Sequence, residues 1–144
     1  MTDHFEIVEH EGNDPRYNMP YVPAIKVHSG KTVYVSGVTA APVYHSHPHV
    51  PAEFDAIPAD PAEQARRTME HLRLALRAAG GDLADVVQMF RFVKDLDRNQ
   101  DAINRVIGEY LGAHRPTTTT VEVVRLATDP RLVLEITATA VVPD

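Results

Sequence analysis

Residues His114–Val124 read HRPTTTTVEVV, and this stretch predicts a β-strand that begins after a proline. Threonine and valine are favoured in strands because their branched side chains suit a pleated, half-buried surface. Alternate side chains of a strand point to opposite faces, so Thr118 and Thr120 share one face and the other two threonines share the opposite face. At most two of the four hydroxyl groups can therefore line one cleft.

An amphipathic helix is predicted from Pro61 to Ala79. Asp60 is a suitable N-cap because its carboxylate can accept a hydrogen bond from the first helical turn, and proline suits the first helical position. Apolar residues then recur every three or four positions, and Gly80 and Gly81 end the helix. A helix with one apolar face needs a flat surface to pack against, which a sheet supplies.

Strand-like segments lie on both sides of this helix. Val86–Val93 is apolar on both faces, as a central strand should be. The element order is β-β-β-α-β-α-β-β, which predicts an α+β fold with both helices on one face of a single sheet. The remaining predicted elements are strands Phe5–Val8, Ala24–Val27 and Thr32–Gly37 (the last two joined as a hairpin by the turn His28–Lys31), a helix at Arg98–Leu111, and strands Thr118–Arg125 and Leu132–Val142.

Composition narrows the possible functions. The chain has 144 residues, 44% of them hydrophobic, which suits a single domain with its own core. It has no cysteine, so disulfides, thiolate nucleophiles and cysteine-based metal sites are excluded. The net charge of −6 argues against a nucleic-acid partner. Because neither a signal peptide nor a long apolar segment is evident, we expect a cytoplasmic protein without a membrane partner.

The long segment Val38–Ala59 has no regular period and reads as a surface loop, a kind of segment that is often functional. It contains His45, His47 and His49, which alternate in sequence. In an extended chain such side chains share a face, so three imidazoles could converge on one divalent metal. The simpler interpretation, which we adopt, is a solvated loop without a metal site, and a further one is a loop that helps to cover a ligand cleft.

Short fragments along most of the chain resemble those of one enzyme family and occur in the same order. The chain is thereby similar to the YjgF-type Rid family, the reactive-intermediate deaminases also called endoribonucleases L-PSP or translation inhibitors. Each fragment alone is weak, but the ordered set is specific. The fragments are Pro20-Tyr21, Val35-Ser36-Gly37, Pro58-Ala59-Asp60, Gln64-Ala65, Phe92-Val93-Lys94-Asp95-Leu96, Arg115-Pro116, Val121-Glu122-Val123, Arg125-Leu126 and Leu134-Glu135-Ile136-Thr137-Ala138.

The resemblance implies a chorismate-mutase-like α+β fold, with a six-stranded mixed sheet and two helices on one face, over residues 1–144 as a single domain. It also implies a homotrimer that binds its small-molecule ligand in clefts between neighbouring subunits. Members of the family hydrolyse enamines and imines such as 2-aminoacrylate to 2-oxo acids and ammonia, and they use no cofactor.

In the family, an arginine two residues after the proline of a P-x-R-S motif holds the substrate carboxylate. Pro116-Thr117-Thr118-Thr119 is the matching stretch, so Thr118 occupies the arginine position. A threonine hydroxyl carries no charge and cannot make the bidentate contact of a guanidinium. Thr120 lies where many relatives have a cysteine. Thr118 and Thr120 are therefore candidates for contact with the ligand, and the alternative interpretation is that these threonines only favour a strand.

Other candidate residues follow the family more closely. The resemblance makes Glu135 the residue that positions the hydrolytic water, Gly37 a backbone contact in the cleft, and Tyr21 an aromatic residue near its mouth. Arg91 interrupts an otherwise apolar strand, which makes it a candidate for the missing guanidinium; Arg115 is a second candidate, although we expect it to point elsewhere. The alternative interpretation of Glu135 is a surface residue paired with Arg125 or Arg131.

The resemblance thus implies a cofactor-free hydrolytic deaminase, or tautomerase, of a small reactive enamine or imine. Because Thr118 replaces the arginine, we expect a substrate other than 2-aminoacrylate, for example an aminomuconate-like catabolic intermediate. The alternative is a non-catalytic trimer that binds a small metabolite in the same intersubunit cleft. A third class is a metal-dependent enzyme built on the three histidines.

Overall fold

The computed structural model describes residues 3–144, and the order of its strands and α-helices is the predicted one. No helix within this described range is long and apolar enough to cross a membrane. Short 3-10 helices lie at Pro51–Phe54 and Leu83–Asp85. The main elements are β1 (Phe5–Val8), β2 (Ala24–Val27), β3 (Lys31–Val38), α1 (Pro61–Ala78), β4 (Val86–Lys94), α2 (Leu96–Leu111), β5 (Thr117–Val123) and β6 (Leu134–Val142).

Four strands form a mixed sheet in the order β3-β6-β4-β5. Strand β6 runs antiparallel to both of its neighbours, whereas β4 and β5 are parallel and are connected through α2. Strands β1 and β2 form a separate antiparallel ladder. The α+β class, the six strands and the two helices are therefore confirmed, but the prediction of one six-stranded sheet is wrong because the strands divide into two sheets.

The predicted hairpin between β2 and β3 is also wrong. The backbone N–H groups of His28 and Ser29 both donate to the carbonyl of His4, at 2.8 and 3.3 Å, so the chain after β2 stays with β1. Gly30 then turns the chain with a φ of 97°, and a side chain there would meet the carbonyl oxygen of Val142 at 2.7 Å. The turn thus packs against the end of β6, and β3 pairs with β6 instead of with β2.

Helix α1 begins and ends as its sequence indicates. The carboxylate of Asp60 accepts a hydrogen bond from the backbone N–H of Ala62 at 3.1 Å, and Pro61 is the first helical residue. Beyond the last turn Gly80 has a φ of 87°, which a glycine adopts without strain. The apolar stripe is fully buried against the sheet and α2.

The sheet has one covered face and one open face. Along β6, the buried residues Leu134, Ile136, Ala138 and Ala140 pack against the helices. The alternate side chains, from Glu135 to Thr139, point to the other face and are only half-buried. Exposed aromatic residues, Tyr34 of β3 and Phe90 of β4, belong to this open face as well.

The predicted irregular loop between β3 and α1 has a small core of its own. Phe54, at the end of the first 3-10 helix, is 1% exposed. Burying one such side chain stabilises the fold by roughly 1.5–3 kcal/mol. The loop is thereby fastened to the connection between β5 and β6. We call this group the second core; its buried members are Ala40, Ala41, Phe54, Ile57, Leu126 and Leu132.

Gln64 fastens α1 to the same connection through three hydrogen bonds. Its amide nitrogen donates to the carbonyls of Pro58 and Arg131, both at 2.9 Å, and its amide oxygen accepts from the backbone N–H of Val133 at 2.8 Å. The side chain is 1% exposed, so water cannot replace these bonds.

We predict that Gln64→Leu lowers the free energy of unfolding by roughly 2–4 kcal/mol, because it leaves buried backbone groups without partners. Urea denaturation measures this change. The matched control is Gln100→Leu on α2, a half-buried position, which should cost less than about 1 kcal/mol. Equal costs for the two variants would show that the Gln64 hydrogen bonds do not hold the connection.

Candidate functional site

A β-bulge positions the first part of the site. The β3–β6 ladder pairs Val35 with Ala138 and Val38 with Ile136, so β3 contains one extra residue at this point. The hydroxyl of Thr137 donates to the carbonyl of Val35 at 2.8 Å. The bulge thus brings the backbone of Gly37 against the side chain that lies two positions before Thr137 in β6 and points to the same open face.

That side chain is Glu135, and the two residues fit only because residue 37 is glycine. A Cβ atom on Gly37 would overlap the carboxylate of Glu135. Glu135 makes no ion pair with any residue in the range 3–144, and partial burial raises the pKa of its carboxyl group. The alternative pairing with Arg125 or Arg131 is absent: Arg125 donates to nearby backbone carbonyls, and Arg131 pairs with Asp129 and Asp55.

A cavity of about 230 Å³ lies beside this carboxylate, and we call it the Glu135 cavity. His71 of α1 lines it and is held by a contact of 2.7 Å between its Nδ1 atom and the carbonyl of Thr39. Sequence reasoning did not select His71, although a polar residue beside the apolar stripe of α1 was a possible signal. A half-buried carboxylate that lies beside a cavity and has no cationic partner is suited to act as a general base.

Arg91, Thr118 and Thr120 lie on the opposite face of the sheet, under α2. In the parallel β4–β5 ladder, Met89 pairs with Thr118 and Arg91 pairs with Thr120, and paired side chains share a face. In the β4–β6 ladder, Glu135 pairs with Phe92, the neighbour of Arg91. Within one chain, Glu135 and Arg91 therefore point to different sides.

Arg91 is a buried cation without an anionic partner among residues 3–144. Its side chain donates to the amide oxygen of Asn104 on α2, its Nε atom has no hydrogen-bond partner within that range, and the residue is 9% exposed. No carboxylate among residues 3–144 forms an ion pair with it. Burial lowers the pKa of Arg91 to about 10, so it stays charged at neutral pH. Buried charges normally have a partner, so this one predicts an anionic ligand or neighbour.

A small cavity of about 120 Å³ adjoins this guanidinium, and we call it the Arg91 cavity. Thr118 lines it, with its hydroxyl directed to the carbonyl of Pro116 at 3.2 Å. Arg115 lines it as well, which corrects the expectation that Arg115 points elsewhere; its guanidinium is anchored on the carbonyl of Gly112. No acidic side chain lines the cavity, so its charge is positive although the protein as a whole is negative.

Tyr21 lies on the same side of the molecule as Arg91. It is exposed and lines a groove of about 520 Å³ together with Arg115, which also borders the Arg91 cavity. Its neighbour Pro20 lines the Arg91 cavity directly. Thr120 is half-buried next to Arg91 but does not line that cavity.

The structure thus sorts the predicted residues into two groups. Gly37 and Glu135 meet at the open face, and Arg91 and Thr118 meet under α2, with Tyr21 nearby. Asn104 belongs to the second group and was not predicted, because its position follows only from the packing of α2.

The three histidines of the loop also come together. The nearest ligand nitrogen atoms of His45, His47 and His49 all lie within 4.8 Å of one another. His45 additionally lines the Glu135 cavity. The three rings therefore lie close together, as the metal-site alternative requires.

Comparison with known proteins agrees with the resemblance seen in the sequence. Residues 11–142 match the family described as Endoribonuclease L-PSP. The 3-aminoacrylate deaminase RutC of Acinetobacter baylyi is 36% identical over 118 residues, which cover 82% of this chain and 84% of that protein.

Solved structures agree as well. A protein of unknown function of the Rid family, YyfB from Yersinia pestis, superimposes with a TM-score of 0.77 and 26% identity, over 96% of this chain and 99% of that one. E. coli TdcF with bound serine has a TM-score of 0.63 and 33% identity, over 87% of this chain and 90% of that one. The fold, the matched profile and the identity to RutC together show that the chain belongs to the YjgF-type Rid family.

Proposed function

We propose that this protein is a hydrolytic deaminase of a small enamine or imine that carries a carboxylate, and that it works without a cofactor. The observation that supports this most directly is the Glu135 carboxylate, which is partly buried, unpaired and held against the backbone of Gly37 beside a cavity. The name of the relative RutC, a 3-aminoacrylate deaminase, supports the same class of reaction.

The complete site, on this proposal, forms between two subunits of a homotrimer. Glu135 and Arg91 lie on opposite faces of one sheet, so a single chain cannot direct both at one small substrate. A ring of subunits resolves this, because the open face of one chain then meets the α2 side of the next. Exposed Phe90 and Tyr34 give that open face the apolar character of an interface.

Each group then has a distinct task. Arg91 and Arg115 of one subunit hold the substrate carboxylate, with Asn104 orienting Arg91. Glu135 of the next subunit takes a proton from water, whose oxygen adds to the imine carbon; the C=N electron pair moves to nitrogen, which receives that proton from Glu135. In the resulting carbinolamine Glu135 then takes the hydroxyl proton and passes it to nitrogen, so that the C–N bond breaks, ammonia leaves and a carbonyl compound remains. An enamine substrate first becomes the imine when its carbon gains a proton and its nitrogen gives one up to water.

The Arg91 cavity also indicates how the substrate differs from that of typical relatives. The cation is Arg91 of β4, whereas typical relatives have an arginine at the position of Thr118 on β5. Because β5 is the edge strand and β4 lies inside the sheet, the substrate carboxylate is bound one strand further from the sheet edge. A conjugated substrate of the aminomuconate kind, or 3-aminoacrylate, is consistent with this arrangement. A second candidate function is binding of such a metabolite without turnover, which the replacement of the arginine by Thr118 favours.

We predict that Glu135→Gln lowers ammonia release by at least about 100-fold, the usual contribution of a general base. Enamines generated in situ, including 2-aminoacrylate, 3-aminoacrylate and 2-aminomuconate, supply the assay. Because the pKa of Glu135 is raised, the acid limb of the wild-type pH–rate profile should lie above the ordinary pKa of about 4.3 for glutamate and be absent in the variant.

The matched control for this prediction is Glu63→Gln, an exposed position on α1. A raised pKa in the folded state means that ionised Glu135 opposes folding at neutral pH, so Glu135→Gln should not lower stability at pH 7. Equal rates for Glu135→Gln and Glu63→Gln would exclude the base. Tight binding of these compounds by the wild type with no ammonia release would instead establish the binding function.

We predict that Arg91→Met raises KM for the carboxylate substrate by about 10-fold or more, since a charge-assisted contact is lost, and changes kcat less. Removing an unpaired buried charge should leave stability unchanged or higher. Exposed Arg98→Met is the control. The double variant Arg91→Val with Thr118→Arg restores a cation on the same face of the next strand and should recover activity on 2-aminoacrylate. An unchanged KM in Arg91→Met would exclude carboxylate binding there.

The intersubunit arrangement predicts complementation. At low substrate concentration the Glu135→Gln protein should be nearly inactive, and the Arg91→Met protein should retain about a tenth of the wild-type rate or less. When they are unfolded together in equal amounts and refolded, about a quarter of the clefts in a three-membered ring receive both native residues. Ammonia release should recover to about that share of the wild-type rate. No recovery, in a mixture that forms trimers by light scattering, would place both residues in the same chain's site.

A further inference from the structure

Three imidazole rings lie close together in the loop between β3 and α1. The ring centroids of His45, His47 and His49 are 4.8 to 5.2 Å apart. The side chains of His47 and His49 have no hydrogen bond to any residue in the range 3–144. By contrast, His4, His71 and His114 each bond a backbone carbonyl. The rings of His47 and His49 therefore have nitrogen atoms available for a ligand.

The loop is fixed in this arrangement by contacts outside the rings. Ser46 lies between two of the histidines, and both its backbone N–H and its hydroxyl bond the carboxylate of Glu53, at 2.8 and 2.9 Å. Phe54 of the second core packs edge-on against the rings of His45 and His49, at centroid distances of 5.0 and 5.6 Å. The cluster is thus supported by packing against a buried aromatic residue.

His45 is also oriented as metal-binding histidines usually are. Its Nδ1 atom lies 2.9 Å from the carbonyl of Pro42. A carbonyl can only accept, so Nδ1 is the donor here, and in the neutral imidazole Nε2 is then the nitrogen that can bind a ligand. Such a carbonyl contact to the second ring nitrogen is the common outer support of a ligating histidine.

The charge next to the cluster favours a cation. The backbone and hydroxyl hydrogen bonds from Ser46 lower the pKa of Glu53, so its carboxylate is ionised at neutral pH. A cation at the cluster would therefore meet three imidazole nitrogen ligands, with the Glu53 carboxylate held close by through Ser46.

We propose that His45, His47 and His49 form a binding site for one divalent transition-metal ion of the zinc class. Imidazole ligands select zinc, copper and nickel over the hard ions calcium and magnesium. Zinc–nitrogen bonds of about 2.0–2.1 Å in a tetrahedron put the nitrogens about 3.3 Å apart. Metal binding requires the nitrogens, now within 4.8 Å of one another, to move closer by rotation of the exposed side chains of His47 and His49.

The site adjoins the Glu135 cavity, because His45 lines that cavity. Three protein ligands leave one tetrahedral position open to water or to another ligand. This proposal does not rest on the proposed deaminase, whose carboxylate acts without a metal, and binding can be measured in the absence of substrate.

The test uses tag-free, chelator-treated full-length protein and calorimetric titration with zinc chloride, with nickel chloride as a second probe and magnesium chloride as a hard-ion control. We expect about one zinc per chain with a Kd of about 10 µM or tighter, and no magnesium binding. His47→Asn and His49→Asn should each weaken zinc binding by at least about 10-fold. Both positions are exposed, so circular dichroism and melting should stay unchanged.

Two matched controls, His10→Asn and His28→Asn, make the same chemical change at exposed histidines outside the cluster and should bind zinc like the wild type. Nitrogen hyperfine coupling in the paramagnetic resonance spectrum of bound copper, reduced in His47→Asn, gives independent support. Absence of zinc binding at about 100 µM metal would overturn the proposal, as would equal affinities of the cluster variants and the two controls.

Discussion

The two-residue period of the central strands is the constraint on which the proposed site depends. Along β4, Arg91 points under α2 while its neighbour Phe92 points to the open face beside Glu135. No rotamer can move a side chain through a hydrogen-bonded sheet. A cation and a base that lie on opposite faces of one chain can act on one small molecule only if a second chain supplies one of them. On the proposed function, subunit contact is therefore part of the chemistry, and the observation that motivates it is the buried Arg91 guanidinium, which has no anionic partner among residues 3–144.

Local sequence signals predicted those parts of the fold that depend on neighbouring residues. Asp60 capped α1 as its type and position indicated, and the alternation along β6 gave the correct covered and open faces. The division into two sheets was not predictable in this way. It depends on the carbonyl of His4, which takes the N–H groups of His28 and Ser29 from far along the chain. The turn residues around Gly30 indicate a change of chain direction, but they do not show which strand pairs with β2.

The candidate site shows the same limit. The resemblance selected Gly37 and Glu135, and the overlap that a Cβ atom would create gives that pair a physical reason. It also identified Thr118 as a departure, without showing that Arg91 lies on the same face one strand away. His71 and Asn104 were missed because helical side chains reach the cavities only through tertiary packing. Residues whose position depends on packing between elements need the structure.

The second core has a consequence for how such proteins diverge. Phe54 and its buried neighbours tie the loop after β3 to the connection before β6, outside the main core under the helices. The wall of the Glu135 cavity that includes His45 is thus built as a small, separately packed unit. Loops on a rigid scaffold tolerate insertion and sequence change better than the scaffold does. A change in this one segment can therefore reshape the wall of the Glu135 cavity without repacking the sheet that carries Glu135 and Gly37.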